Sequence, residues 1–388
     1  MQYIKRDILP YFRKIYDTFP TVTLCGPRQS GKTTLCRKEF PELEYVNFEN
    51  FGIRQIASED PISFVSQYKS GAIFDEVQLV PEIFSALQVL IDEDRFKEDK
   101  KRKFILTGSS NFALLPNLRQ SLAGRTGILT LLPFSVHELQ EGGFNKNADE
   151  YIYFGGYPGI WDSDSEMKTV IMESYINTYV ERDVRRIMEV KDLNKFAIFL
   201  KLCAARIGTE LNRSSIAVEL GVSVSTIENW LSVLETSYIL FLLKPWYNNI
   251  GKRLTKSPKI YFYDTGLACT LLNINDPKNI FLNPMRGQLF ENLVIANQMK
   301  RVLNFGIKDE LFFYRDKGGK EVDLLINTPE GLKAYEIKSG ATYRTDYMEN
   351  IKYLKKLLGD QIIESGVIYT GETNLKKQEE GIYNYLNL

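Results

Sequence analysis

The chain has 388 residues, equal numbers of basic and acidic side chains, a formal net charge of zero and a single histidine. At roughly 150 residues per domain the length predicts two or three domains, and the zero balance means that any nucleic-acid contact must come from a local patch. A Ser-His-Asp triad or a histidine-containing metal site would have to use His137, so the chemistry is left to carboxylates, lysine, hydroxyls and backbone amides.

The N-terminal "MQYIKRDILPYFRKIY" mixes charge with aromatics and has no long apolar region. No run in the chain approaches the roughly 20 apolar residues of a membrane span. Neither a signal peptide nor a membrane contact is expected, and the expected location is the cytoplasm. Cys25, Cys36, Cys203 and Cys269 lie far apart without a C-x-x-C pair, which fits reduced thiols; Cys25 reads as a small buried strand residue.

"TVTLCGPRQSGKTTLCRKEF" carries the strongest signal. Thr21 to Cys25 is a short apolar strand. Gly26, Pro27, Arg28, Gln29, Ser30, Gly31, Lys32 and Thr33 then match G-x-x-x-x-G-K-[ST], and a helical pattern follows. Loop amides and the helix N-terminus, with Thr34, are expected to cradle ATP phosphates. Lys32 would reach the β- and γ-phosphates, and Thr33 would offer its hydroxyl to Mg²⁺.

"LEYVNFEN" supplies a second strand. "SGAIFDEVQ" supplies a third, ending in Asp75, expected to hold the Mg²⁺ shell, and Glu76, expected to polarise the attacking water. "RKFILTGSSNF" is a fourth strand whose hydroxyl end would read the γ-phosphate, with Ser110 first and Ser109 second. "SLAGRTGILTLLP" leads into a fifth strand and places Arg125 as a candidate arginine finger, in cis or toward a neighbouring subunit of a homo-oligomer. His137 follows in "PFSVHEL", where a helix-start or packing role is expected. Strands starting at Thr21, Tyr45, Ala72, Phe104 and Gly127, alternating with helices, predict a parallel sheet covered on both faces.

In the order of Walker A loop, "FDE", "LTGSS" and "SLAGR", the chain resembles the AAA+ branch of P-loop ATPases. It is similar, over nearly its whole length, to a prokaryotic group with a small AAA+ core and a long C-terminal extension. The fold class expected is therefore α/β, with an AAA+-like ATPase core over 1–145.

"YIYFGGYPGIW" marks the joint leaving that core. Helical periodicity then runs from Glu166 to Val190. The resemblance implies that this segment adjoins the nucleotide site, where Arg182, Arg185 or Arg186 would sense nucleotide. "SSIAVELGVSVSTIENWLSVLETSYIL" reads as a helix-turn-helix, with Ser215 opening the first helix, Gly221 at the turn and Ser223 capping the second. Two strands follow around the basic loop "YNNIGKRLTK". The whole predicts a winged helix over 146–275, with Ser225, Asn229, Lys252, Arg253 and Lys256 as candidate DNA contacts; such domains also serve as structural lids or protein contacts.

From 276 to 388 the expected order is α-β-β-β-α-β, which resembles the PD-(D/E)XK nuclease-like fold. Glu291 falls on the helix, Asp323 on the second strand, and Glu336 and Lys338 on the third. Glu336 and Lys338 are two apart and share one strand face. The resemblance implies a metal set of Glu291, Asp323 and Glu336, with Lys338 placing the water. Three readings stay open: an ATP-regulated nuclease acting on DNA, a nucleotide-controlled switch whose C-terminal domain does not cut, or a protein-remodelling ATPase.

Overall fold

The computed structural model describes residues 3–96, 102–108, 121–179, 193–247 and 257–387. Five short apolar runs form the first sheet: β1 (Thr21–Cys25), β2 (Glu44–Asn47), β3 (Gly71–Asp75), β4 (Lys103–Thr107) and β5 (Thr126–Thr130). Their order is β2-β3-β4-β1-β5 and every pairing is parallel. The starts lie within one residue of expectation. Every residue of β1 and β3 is buried, because helices cover both faces of a parallel sheet. Those helices are α1 (Leu9–Thr18), α2 (Lys32–Glu39), α3 (Phe51–Glu59), α4 (Pro61–Ser66) and α5 (Glu82–Asp94). Parallel pairing has one consequence for function: the ends of β1, β3 and β4 open onto the same edge.

Beyond the sheet come α6 (Val136–Glu141), α7 (Ala148–Phe154), α8 (Pro158–Trp161), α9 (Lys168–Thr178) and α10 (Leu193–Ala204). Ser135 and Glu138 form a reciprocal capping box that starts α6. The helix-turn-helix is present as α11 (Arg213–Leu220) and α12 (Val224–Thr236). Its first helix opens at Arg213, because the Asn212 side chain, rather than Ser215, caps it. Gly221 takes a left-handed conformation at φ +60°, which closes α11. Ser223 caps α12 through the Thr226 amide.

β6 (Leu240–Pro245) and β7 (Lys259–Phe262) pair antiparallel. The hairpin does not stand alone, however. β6 also pairs in parallel with β8 (Glu310–Arg315), through Lys244 opposite Phe312 and Pro245 opposite Phe313. After α13 (Thr265–Leu271) and α14 (Lys278–Phe281), the expected order appears: α15 (Arg286–Phe305), β8, β9 (Glu321–Thr328), β10 (Gly331–Lys338), α16 (Glu349–Leu358) and β11 (Ile362–Tyr369). β12 (Leu375–Lys377) and β13 (Glu380–Asn384) follow. The second sheet therefore has the order β12-β13-β11-β10-β9-β8-β6-β7. It crosses the division expected at 275/276, and one apolar core runs from Phe134 through Trp230 and Phe290 to Ile368. Among the described residues no helix is long and apolar enough to cross a membrane. All four cysteines are buried free thiols, and burial pushes the Cys25 thiol up to about 12.

Candidate functional site

The chain leaves β1 at Gly26 with φ +146°, and a Cβ there would stand 2.1 Å from the Leu131 carbonyl oxygen, so only glycine fits. Gln29 and Gly31 also take positive φ, which curls the loop around the start of α2. Lys32, the first residue of α2, is buried. Its Nζ donates to the Gly26 carbonyl at 3.0 Å and the Pro27 carbonyl at 2.7 Å. Burial lowers its pKa, and the charges of Glu76 and Asp75 oppose that.

Asp75, at the end of β3, is the hub. Its Oδ2 accepts from the Thr33 hydroxyl at 2.8 Å and from the Tyr45 hydroxyl at 2.7 Å. Its Oδ1 accepts from the Thr107 hydroxyl. Glu76 follows in a left-handed conformation at φ +54°, a cost of about 1–3 kcal/mol for a residue with a side chain. Its carboxylate accepts from Gln78. Arg28, Lys32, Thr33, Asp75 and Glu76 share a cleft of about 580 Å³. The far wall is Pro158 of α8, Tyr175 and Thr178 of α9, and Tyr179. A second cleft of about 330 Å³ adjoins it, sharing Gly31, Thr34 and Pro158 and walled by Ile4, Leu35 and Phe134. The Thr33 hydroxyl and Asp75 carboxylate are hard oxygen donors held at one point of the phosphate cleft. That set suits Mg²⁺, which takes one or two protein oxygens with phosphate and water.

Ser109, Ser110, Arg182, Arg185, Arg186, Lys252, Arg253 and Lys256 fall outside the described residues. Thr107, which sequence reasoning passed over, is the hydroxyl that meets Asp75; the register of Phe74 opposite Leu106 puts it there. Arg125 is a correction. Its carbonyl accepts from the Thr21 amide, at the beginning of β1, so it sits at the sheet edge opposite the phosphate loop. Five strand residues at about 3.3 Å each separate the two edges. Its guanidinium is held by Asp92 at 2.8 and 2.7 Å, so it is no finger in cis. His137, on α6, is exposed and lies 3.1 Å from the Asp7 carboxylate.

Ser225 and Asn229 are both exposed on α12, four residues apart and therefore on one face.

The C-terminal carboxylates do come together. Asp323 Oδ2 accepts from the Ile337 amide at 2.8 Å and from Lys338 Nζ at 3.3 Å. Lys338 Nζ also donates to Glu336 Oε2 at 2.6 Å, and Asn350 of α16 donates to Glu336 Oε1 at 3.3 Å. Glu291 is engaged from β7, by Tyr261 and by Lys259 Nζ at 3.3 Å; Lys259 also reaches Glu321. Burial, then the Asp323 charge, pushes Glu291 up to about 7 and Glu336 up to about 8. Burial disfavours the Lys338 ammonium, but Asp323 and Glu336 outweigh it and raise its pKa.

This arrangement does not fit the expected metal set. The Lys338 ammonium bridges Asp323 and Glu336, and Glu291 faces Lys259 and Tyr261. Among the described residues no three His, Cys, Asp or Glu side chains stand close enough together to hold a metal ion. Nothing in the sequence pattern of the C-terminal segment pointed to Lys259 and Tyr261, because they arrive from the middle of the chain.

Comparison with known proteins places these features in context. A family described as an AAA domain matches residues 18–140. Two domains of unknown function, DUF8612 and DUF4143, match residues 145–278 and 286–388. The uncharacterized proteins Mb2031c of Mycobacterium bovis and Rv2008c of Mycobacterium tuberculosis are each 29% identical over 373 residues, covering 95% of this chain and 80% of theirs. An uncharacterized Haemophilus influenzae protein is 27% identical, covering 91% of this chain and 92% of its own. Among solved structures, the Walker-type ATPase PABY2304 of Pyrococcus abyssi is 14% identical with a TM-score of 0.47, covering 70% of this chain and 96% of its own. Cdc6p of Pyrobaculum aerophilum is 13% identical with a TM-score of 0.29, covering 72% and 96%. With its parallel sheet, its Gly26–Thr33 loop and its AAA-domain match, the chain carries a P-loop ATPase core of the AAA+ type.

Proposed function

We propose that this protein binds and hydrolyses ATP at the Gly26–Thr34 loop and uses the nucleotide to control engagement of DNA, while its C-terminal centre does not cut. The observation that carries the ATPase reading is the Thr33 hydroxyl on the Asp75 carboxylate at 2.8 Å, in one cleft with Lys32 and Glu76. Loop amides and Lys32 bind the β- and γ-phosphates, and the adjoining apolar cleft takes the nucleoside. Thr33 and Asp75 hold Mg²⁺, which when bound neutralises charge on the phosphate oxygens. Glu76 orients the attacking water and takes its proton. The test is ATP turnover beside binding of a fluorescent ATP analogue. Lys32→Ala should lose both, whereas Glu76→Gln should bind normally and stall; normal affinity in Lys32→Ala refutes the loop assignment.

Support for the DNA reading is the exposed Ser225 and Asn229 face on the second helix of the helix-turn-helix. Likeness of the C-terminal segment to a nuclease fold is supported by its α-β-β-β-α-β order and by the meeting of Asp323, Glu336 and Lys338. Lysine bridges in that centre favour the non-cutting alternative. Incubation of the protein with linear, single-stranded and branched DNA in Mg²⁺ or Mn²⁺ should give no cleavage; cutting that vanishes in Glu336→Ala would restore the nuclease reading.

A further inference from the structure

Arg6 precedes the first helix and matches no motif, yet its side chain is only 4% exposed and joins three separate pieces of the core. Nε donates to Glu138 Oε1 at 2.9 Å, Nη1 to the Ser30 carbonyl at 2.9 Å and Nη2 to the Leu132 carbonyl at 2.6 Å. Its guanidinium lies 4.6 Å from the centre of the Phe134 ring. Ser30 belongs to the phosphate loop. In a trans peptide the C=O and the following N–H point in opposite directions. Holding the Ser30 oxygen on Arg6 therefore aims the Gly31 N–H the other way. Gly31 caps α2 and lines the cleft with Lys32 and Thr33.

The anchor of Arg6 is itself anchored. Glu138 is fully buried and also accepts from the Asp7 and Ser135 amides, each at 2.8 Å. On its other side, α15 grips the same stretch. Asn297 Oδ1 accepts from the Val136 amide at 2.8 Å, and Lys300 Nζ donates to the Phe134 carbonyl at 2.8 Å. Gly306, which ends α15, lies against the Tyr11 ring of α1. Glu291 sits on the same helix, nine residues before Lys300 and so about 13 Å along a rigid rod.

We propose that Arg6 is a positioning residue for the phosphate cradle, and that α15 sets the place of Arg6, so that the C-terminal sheet and the nucleotide site are tied through one guanidinium. This rests on the reading that the loop binds ATP. Coupling of this kind is reciprocal, and a change in α15 must appear as a change in nucleotide affinity.

The experiment titrates a fluorescent ATP analogue into the full chain and measures kcat and KM, with thermal melting in parallel. The variants are Arg6→Met combined with Glu138→Gln, Arg6→Lys alone, and Lys300→Met. The double variant removes the ion pair without leaving a buried charge unpaired. It should bind the analogue about ten-fold more weakly, the size of one lost charge-assisted hydrogen bond. KM should rise more than kcat falls. Arg6→Lys should recover part of the affinity, since a lysine offers one point charge where arginine offers a fork. Lys300→Met, which touches no nucleotide, should weaken binding about five-fold, at the low end of the usual range of coupling energies. A double variant that melts lower but binds within about two-fold of wild type would overturn the positioning role. Unchanged affinity in Lys300→Met would overturn the tie to α15. If the double variant does not fold, Arg6→Lys and Lys300→Met decide, and wild-type affinity in both overturns the proposal. Failure of the wild-type protein to bind the analogue is a different result, and refutes the ATP reading itself.

Discussion

Glu336 is 2% exposed, lies beside Asp323, and has its carboxyl pushed up to about 8, first by burial and then by the Asp323 charge. In the unfolded chain the same group loses its proton near 4.5. Between those values the folded state holds a proton that the unfolded state does not. The contribution of Glu336 to stability is therefore fully present below pH 4.5 and is lost as pH rises through about 8. The gap between 4.5 and about 8 corresponds to a ceiling of ~5 kcal/mol. The opposing pull of the Lys338 ammonium is already contained in that gap, and relaxation with water entry around the buried group lowers the ceiling to about 2–3 kcal/mol. Glu336→Gln keeps the shape and removes the titration. Urea unfolding of both proteins should show a stability gain for the variant that is about 2–3 kcal/mol larger near pH 8.5 than near pH 5. A gain that is equal at the two pH values, or larger at the lower one, refutes the account of this centre as a crowded carboxylate cluster.

Other consequences are measurable. Arg125→Ala should leave kcat and KM for ATP unchanged, because Asp92 holds that guanidinium at the far sheet edge; a fall of ten-fold or more would show that a second copy uses it. Thr107→Val should keep nucleotide affinity within a few-fold while slowing hydrolysis by about ten-fold, since it frees Asp75 Oδ1 from its strand-end partner. Ser225→Ala with Asn229→Ala should weaken DNA binding in a gel-shift assay by roughly one to two powers of ten if those side chains meet base edges. Unchanged DNA affinity in that variant would move the contact off α12.

The phosphate loop was legible because its function needs contiguous residues: Gly26 to Thr33 make one curl, and the chemistry is written in order. Contacts set by register between strands were not. Thr107 meets Asp75 only because β3 and β4 pair with Phe74 opposite Leu106, and no local pattern states that pairing. Arg125 as a finger in cis was misread for a related reason. In a parallel sheet the residue before a strand and the residue after it lie at opposite edges, so an arginine entering β5 cannot stand beside a loop leaving β1. The five strands themselves were readable as apolar runs of the right length. The pairing of β6 with β8 was not, because a hairpin looks complete and its second edge leaves no mark on composition. Arg6 was hidden by distance: Ser30 and Glu138 lie 24 and 132 residues away.

The junction of β6 with β8 also bears on how the chain can be divided. A C-terminal piece starting at residue 276 would carry β8 as an open edge, with the backbone beside Phe312 and Phe313 stripped of its neighbour. It would also lack Lys259 and Tyr261, leaving the Glu291 carboxylate buried against nothing of opposite charge from β7. Such a fragment would self-associate through β8 and lose the charge balance of its centre. The smallest unit that keeps both is the span from 240 to 387, whose first part, 240–275, belongs to the segment that also builds the helix-turn-helix's supporting core. Seen this way, the helix-turn-helix and the acidic centre are two faces of one body rather than separate modules on a string.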